Sequence, residues 1–316
     1  MRISVLIPTY NSSKTIRATL NSVLHQTAPP HEILVLDDGS TDNTVSLLNS
    51  YKPTIAVFER KNGGVANARN ALIKRAEGDL IAFLDHDDLW HPSYLDSQRG
   101  LFEHYPNAVA FFTGHINFYG FNDYGWRDSP PDARPNIELI DPLSFLQRYN
   151  KTTGSFASMS YCCIPKRVLT GIGDEPFCVR ASGADDFYLF NLLPLIGPAV
   201  YCSASLVAYR ITEAAQSANR LTGVESSVRA LEILAVRYRE ATDRILSRAF
   251  WIAFASRRRH YAKFLMGAGK CSEARTQLLH SLNDSHSPRS QLKSLALLLF
   301  SYLPDLLQPK WPSAHR

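Results

Sequence analysis

The chain has 316 residues, 45% hydrophobic and 20% charged, values that suit a folded globular protein and exclude a disordered or fibrous one. Its net charge of +5 is uneven, because from Val224 onward 15 Lys and Arg stand against 7 Asp and Glu; the basic character therefore belongs to the tail, where it can face anionic lipid, a partner or solvent. Five cysteines without a CxxC spacing give neither a disulfide framework nor a zinc site, and the absence of a zinc finger, RNA-binding aromatics, P-loop, GxGxxG or GxSxG removes nucleic-acid, kinase, dinucleotide and hydrolase readings.

The order of elements predicts an α/β fold. Residues 3–7 are continuously apolar, as in a strand buried on both faces of a parallel sheet. After possible caps at Asn11, Ser12 and Ser13, the residues Ile16, Leu20, Val23 and Leu24 fall on one helical stripe that Pro29-Pro30 ends. A second buried strand, 33–36, runs into Asp37-Asp38-Gly39-Ser40; a helix at 43–49, a strand at 55–58 and a helix at 66–76 follow. Strand 80–84 then leads directly into Asp85-His86-Asp87-Asp88. This alternation predicts right-handed βαβ units in a doubly wound sheet, with ligands bound beyond the carboxyl ends of the strands, where the three polar clusters at 8–11, 37–40 and 85–88 meet.

The middle is less regular. Residues 111–114 read as a strand, and 122–135, rich in Pro, Asp and aromatics, as a loop on the acceptor side or as surface filler. From Val224 the chain reads as helices at 228–245, 246–266, after Cys271 and at 291–307, with one helix-turn-helix resembling a single tetratricopeptide-like hairpin at 262–279. The N-terminal apolar stretch is too short for a signal peptide, and the run 295–303 is about half a bilayer span, so the expected setting is the cytoplasm; the apolar residues of 292–307, flanked by Lys293 and Lys310 with the Arg257-Arg258-Arg259 run upstream, would either dock on the inner membrane face or a partner, or pack on the catalytic domain.

Asp85-His86-Asp87 is the sharpest chemical feature. Two carboxylates two residues apart at a strand end can hold Mg²⁺ or Mn²⁺, which prefer oxygen ligands and substrate phosphates. A bare Asp-x-Asp also caps helices or faces water, so its context decides.

That context is Ser4 to Asn11, Leu34 to Asp42, Gly63-Gly64-Val65-Ala66-Asn67-Ala68-Arg69-Asn70, and Gly78 to Asp88, in this order and spacing. Together they resemble the family 2 inverting glycosyltransferases of the GT-A fold, strongly over about 3–95 and more thinly to about 217. The resemblance implies a GT-A domain over 1–220, followed by a basic helical region over 221–316. It further implies transfer of a sugar from a nucleotide diphosphate, a UDP-sugar by preference, to a hydroxyl of a glycan or lipid-linked acceptor in cell-surface polysaccharide synthesis. By position, Thr9, Tyr10 and Asp38 would hold the base, with Asn67 and Arg69 steering the diphosphate from the start of a helix. Asp85 would contact ribose or the metal, Asp87 would ligate the metal, and His86 would point away. Asp186, in Gly183-Ala184-Asp185-Asp186, corresponds to the acid that takes the acceptor's proton. Plainer roles stand beside these: an Asx turn for Asp38, a surface cation for Arg69, a helix cap for Asp185 or Asp186. Two positions depart from the family pattern: Asp185, where Glu is usual, and Thr212, where a His commonly follows Tyr209-Arg210 and completes the metal shell; water or Glu213 could replace it. The alternatives are a non-catalytic nucleotide-sugar-binding protein and a nucleotidyltransferase, whose phosphate loop after the first strand is missing.

Overall fold

The computed structural model of the protein describes residues 1–120, 134–151, 156–211 and 220–302. The first half alternates β1 (Ile3–Thr9), α1 (Ile16–Leu24), β2 (Glu32–Asp37), α2 (Thr44–Asn49), β3 (Ala56–Glu59), α3 (Val65–Arg75) and β4 (Leu80–Phe83). There follow β5 (Leu89–Trp90), α4 (Tyr94–His104), β6 (Ala110–Tyr119), β7 (Ile137–Ile140), α5 (Pro142–Lys151), β8 (Cys162–Pro165), α6 (Lys166–Ile172), α7 (Asp185–Leu192) and β9 (Ala199–Ile211). The chain then becomes helical: α8 (Arg220–Glu240), α9 (Arg244–Gly267), α10 (Cys271–Asp284) and α11 (Pro288–Phe300).

Among the described residues the strands form one nine-stranded sheet in the order β3-β2-β1-β4-β8-β6-β9-β5, with β7 also on β9. β1, β2, β3 and β4 are parallel, as the buried apolar runs predict, and every residue of β1 and β4 is buried. The other half is mixed: β8 is antiparallel to β4 and β6, β6 is parallel to β9, and β5 and β7 are antiparallel to β9. A doubly wound sheet is therefore realised only in the first half. The 13-residue β9 was not foreseen.

The core lies on both faces of this sheet. On one face Ile3, Val5, Ile7, Leu20, Val23 and Leu95 pack under α1 and α4. On the other, Phe83, Phe112, Phe145, Phe190 and Leu231 share one cluster with Tyr238, Phe250, Phe254 and Leu265, so the C-terminal helices are built onto the sheet's own core. Tyr238 stacks on Phe250 at 3.9 Å and donates its hydroxyl proton to Asn191 O at 2.7 Å. Fully burying a side chain of this size contributes about 2–3 kcal/mol.

The helix break predicted at 245–246 occurs earlier. Asp243 caps α9 by accepting from Ile245 N and Leu246 N, each at 2.9 Å, which stops one helix and starts the next. The Arg257-Arg258-Arg259 run is also not an open basic patch: Arg258 pairs with Asp284 and Glu232, and Arg259 is buried among Ser281, Ser290 and Ser294. Residues 122–133, 212–219 and 303–316 lie outside the described residues, and with them Thr212, Glu213 and most of the expected acceptor loop.

Candidate functional site

The carboxyl ends of β1, β2 and β4 do meet. After β1, Thr9 is buried and shares a hydroxyl–hydroxyl hydrogen bond with Ser12, while Tyr10 is exposed. Asn11 takes a left-handed backbone, φ 48°, and ties this loop to the next turn: its N–H donates to Ser40 Oγ at 2.8 Å, and its Oδ1 accepts from Thr41 N at 2.8 Å.

At the end of β2 the two aspartates divide their work. Asp37, not Asp38, makes the Asx turn, its Oδ2 accepting from Gly39 N and Ser40 N at 3.1 and 2.8 Å. Gly39 has φ +82°, and a Cβ there would stand 2.8 Å from the Asn62 backbone nitrogen, so only glycine fits. Asp38, buried, reaches across to Gly63 N at 3.0 Å, Gly64 N at 2.7 Å and the Arg60 guanidinium at 3.1 Å. It thereby fixes the start of α3. Asn67 lies half-buried on the first turn of α3 and donates back to Gly63 O at 2.7 Å.

Arg69 is 5% exposed, so it is not a surface cation, and it bridges two carboxylates: Nη2 to Asp85 Oδ1 at 2.6 Å and Nη1 to Asp185 Oδ2 at 2.8 Å. Burial alone would lower its pKa, but Asp85, Asp185 and Asp186 outweigh that and hold the guanidinium firmly charged. One residue further along α3, Asn70 grips the Phe177 backbone in both directions, at 2.7 and 3.0 Å. Thus α3 carries the segment before α7 to the end of β4.

The Asp85–Asp88 turn is pinned from three sides. Asp85 N donates to Ser160 Oγ at 3.1 Å; Thr19 Oγ1 donates to His86 O and Asp88 O, both at 3.0 Å; Arg210 N donates to Asp88 Oδ1 at 2.8 Å, and Arg210 Nε to Asp87 O at 2.6 Å. Its carboxylates crowd one another. Burial raises the Asp87 pKa, with Asp85 adding to this and His86 opposing it. Asp88, fully buried, is raised further by burial, Asp87 and Asp85. Such surplus negative charge, all of it on oxygen, is what a hard divalent cation would relieve, so the donor set fits one. Among the described residues no three Asp, Glu, His or Cys side chains converge on one point, so a cation here needs oxygens from another source as well.

Asp185 and Asp186 open α7, whose N-cap is Ala184; neither acid caps the helix. Asp186 is half-buried, its Oδ1 accepts from Phe187 N at 2.6 Å, and burial followed by the neighbouring Asp185 charge pushes its pKa from 3.8 to about 6. An aromatic group that the sequence did not reveal follows Ser160, which holds the Asp85 backbone. Tyr161, next to Ser160, stacks on His115 at 4.6 Å, and His115 meets the edge of Tyr209 at 6.2 Å. Burial raises the Tyr161 pKa, and Tyr209, Asp88 and Asp186 raise it further. The bulge at Gly114 that re-aims His115 is visible only as a register shift between β6 and β9.

The sequence model described as Glycosyl transferase family 2 matches residues 4–171. The chain is 36% identical over 135 residues to the Escherichia coli UDP-Glc:alpha-D-GlcNAc-diphosphoundecaprenol beta-1,3-glucosyltransferase WfaP, covering 41% of this chain and 52% of WfaP. It therefore spans only about half the length of that relative. In three dimensions it is similar to S. aureus TarS 1-349 in complex with UDP-GlcNAc, with a TM-score of 0.72 at 18% identity over 96% of this chain and 89% of that fragment. It is also similar to the mannosyltransferase PcManGT of Pyrobaculum calidifontis in complex with GDP-Man and Mn2+, with a TM-score of 0.55 at 19% identity over 96% and 81% of the two chains. At these identities the two structures speak for a shared fold.

Proposed function

The chain belongs to glycosyl transferase family 2, and from that premise we propose that it is an inverting, divalent-metal-dependent transferase moving a sugar from a UDP-sugar to a hydroxyl of a glycan or lipid-linked acceptor, in surface polysaccharide synthesis. The observation that carries this is the Arg69 bridge: by tying Asp85 to Asp185 at 2.6 and 2.8 Å, it holds the acids after β4 and the acid pair of α7 at one crevice. UDP as the nucleotide is supported by WfaP, whose name includes UDP-Glc, and by the UDP-GlcNAc complex of the TarS fold.

In this reading Asp87 and Asp85 hold Mn²⁺ or Mg²⁺ together with donor phosphate oxygens, and the ion supplies neutralisation of charge on the departing diphosphate. Thr9, Tyr10 and Asp38 form the base end. Asp38 acts there by shaping the Gly63-Gly64 loop, because its carboxylate is already engaged. Asn67 lies at the α3 start that faces the diphosphate. Asp186 takes the proton of the acceptor hydroxyl as that oxygen attacks the anomeric carbon; a pKa near 6 leaves it ionised at neutral pH yet basic enough to work. Attack opposite the leaving group inverts the anomeric centre. The helical region over 221–316 makes peripheral contact with the inner membrane face.

The test is a panel of nucleotide sugars with Mn²⁺ or Mg²⁺ and with EDTA, scoring the nucleotide diphosphate released and the anomer formed. UDP release that stops in EDTA is the expected result; metal-independent release, or retention of configuration, overturns the reading.

A further inference from the structure

The last described helix divides its apolar residues: Leu297 and Leu298 are half-buried against the core, and the rest face outward. On α11 the buried positions are Ser290 and Ser294, which with Ser281 surround the buried Arg259 guanidinium at 2.8 to 3.3 Å. The opposite face carries Leu292, Leu295 and Leu299, 67%, 44% and 64% exposed, spaced i, i+3 and i+7 and followed by exposed Phe300. Arg289 and Lys293 are exposed on the same helix. A soluble helix normally turns its leucines inward, so this face asks for an apolar cover.

Two residues before α11, His286 reaches a cationic cleft of about 540 Å³ lined by Arg239, Arg244, Ser247, Arg248 and Trp251. Arg239 lies over the buried Trp251 ring at 5.3 Å, and among the described residues neither Arg244 nor Arg248, both exposed, makes an ion pair. The nearest carboxylates in sequence are Asp243, which accepts two backbone N–H groups at the start of α9, and the exposed Glu240 at the end of α8; neither lines the cleft. Exposed aliphatic residues flank the arginines at helical spacing: Val236 one turn before Arg239, and Ile245 and Ile252 on the Arg248 side of α9, 57%, 69% and 37% exposed.

We infer that the arginine cleft at the α8–α9 turn and the outward leucine face of α11 form a docking surface for an anionic lipid bilayer, the guanidiniums binding phospholipid phosphates and the aliphatic side chains entering the headgroup boundary. Guanidinium is suited to phosphate, and a surface mixing arginine with exposed Ile and Leu matches an interface that is anionic outside and apolar beneath. A free phosphate would use the arginines but leave the leucines bare. This inference rests on the membrane reading above and names the surface responsible: the apolar residues of α11 expected from the sequence, joined by the Arg239, Arg244 and Arg248 cleft in place of the Arg257-Arg258-Arg259 run, of which Arg258 is paired and Arg259 buried.

The test is co-sedimentation of the full chain with vesicles of phosphatidylcholine and phosphatidylglycerol in equal parts, against pure phosphatidylcholine, at low salt. The wild type should pellet with the anionic vesicles only. R244E/R248E should weaken partitioning by about 30-fold or more, and L295S/L299S should weaken it as well, with melting temperature and transfer to a soluble acceptor unchanged. Inorganic phosphate at matched ionic strength should not release the protein. No binding of the wild type overturns the membrane reading and this surface together, whereas binding that survives both variants overturns the surface alone. Release by phosphate marks an ion site, and a wild-type dimer that L295S/L299S makes monomeric assigns the face to a second copy; either result overturns the inference.

Discussion

Asp186 and Asp185 are adjacent in sequence, yet the structure gives them opposite work. Asp185 is spent on Arg69, while Asp186 has only a backbone N–H and keeps a pKa near 6. A base must be unprotonated, so the rate should rise with pH through about 6; by the same shift the folded state holds a proton between about pH 4 and 6 that the unfolded chain has lost, and the contribution of Asp186 to stability falls as pH rises through that window. Asp186→Asn should reduce turnover by about 10²-fold or more and abolish the acid limb, with UDP affinity by calorimetry within a few-fold. Loss of UDP binding with the fold intact would move Asp186 to the donor site. Asp87→Ala should lower the rate by about 10²-fold or more and remove its dependence on added metal; full activity of this variant in EDTA would end the metal assignment. Arg69→Met, by contrast, is a structural lesion. It leaves Asp185 buried without a partner at 4% exposure, and unfolding in urea should show a loss of about 3 kcal/mol.

At the scale of elements, legibility followed locality. β1, β2 and β4, with their helices, were readable because a buried parallel strand is a continuous apolar run and its ligand turn follows at once. The Asp85–Asp88 turn was readable as chemistry for the same reason. The antiparallel half was not: β5 is two residues long, and β8 is set by pairing with β4 and β6, partners far away in sequence. Arg69 was legible as a cation but not as a bridge, since its partners lie 16 and 116 residues away. Likewise the Asp-Asp-Gly-Ser turn announced itself, but which aspartate turns the chain and which crosses to Gly63 did not. Gly39→Ala tests that turn: with φ at +82° and a backbone nitrogen 2.8 Å from the new methyl, it should cost about 2 kcal/mol and weaken UDP binding, because the Asp37 turn and the Asp38 link move together. Unchanged melting and unchanged UDP affinity would free Gly39 of this role.

For the whole molecule the open matter is whether the helices after 220 are an appendage, as the basic composition suggested, or part of one body. Packing favours one body. Tyr238 and Phe250 lie in the cluster that holds Phe83 and Phe112 of the sheet, and Gly183, just ahead of the acid pair, would bring a Cβ to 3.2 Å from Ser226 Oγ on α8. Closer to the chemistry, the Arg257 guanidinium of α9 lies over the ring of Phe187, the residue after Asp186, at 4.8 Å. The helices therefore pack against α7 in one core, and their removal would expose α7 residues such as Phe187 to water. A chain ending at residue 220 should accordingly aggregate or bind a hydrophobic dye, lose its cooperative melt and show no transfer, even though every proposed donor and metal residue is retained. A soluble fragment of 1–220 that melts cooperatively and binds UDP with full affinity would instead make the helices a separate unit, and would relieve α8 and α9 of any part in holding the base.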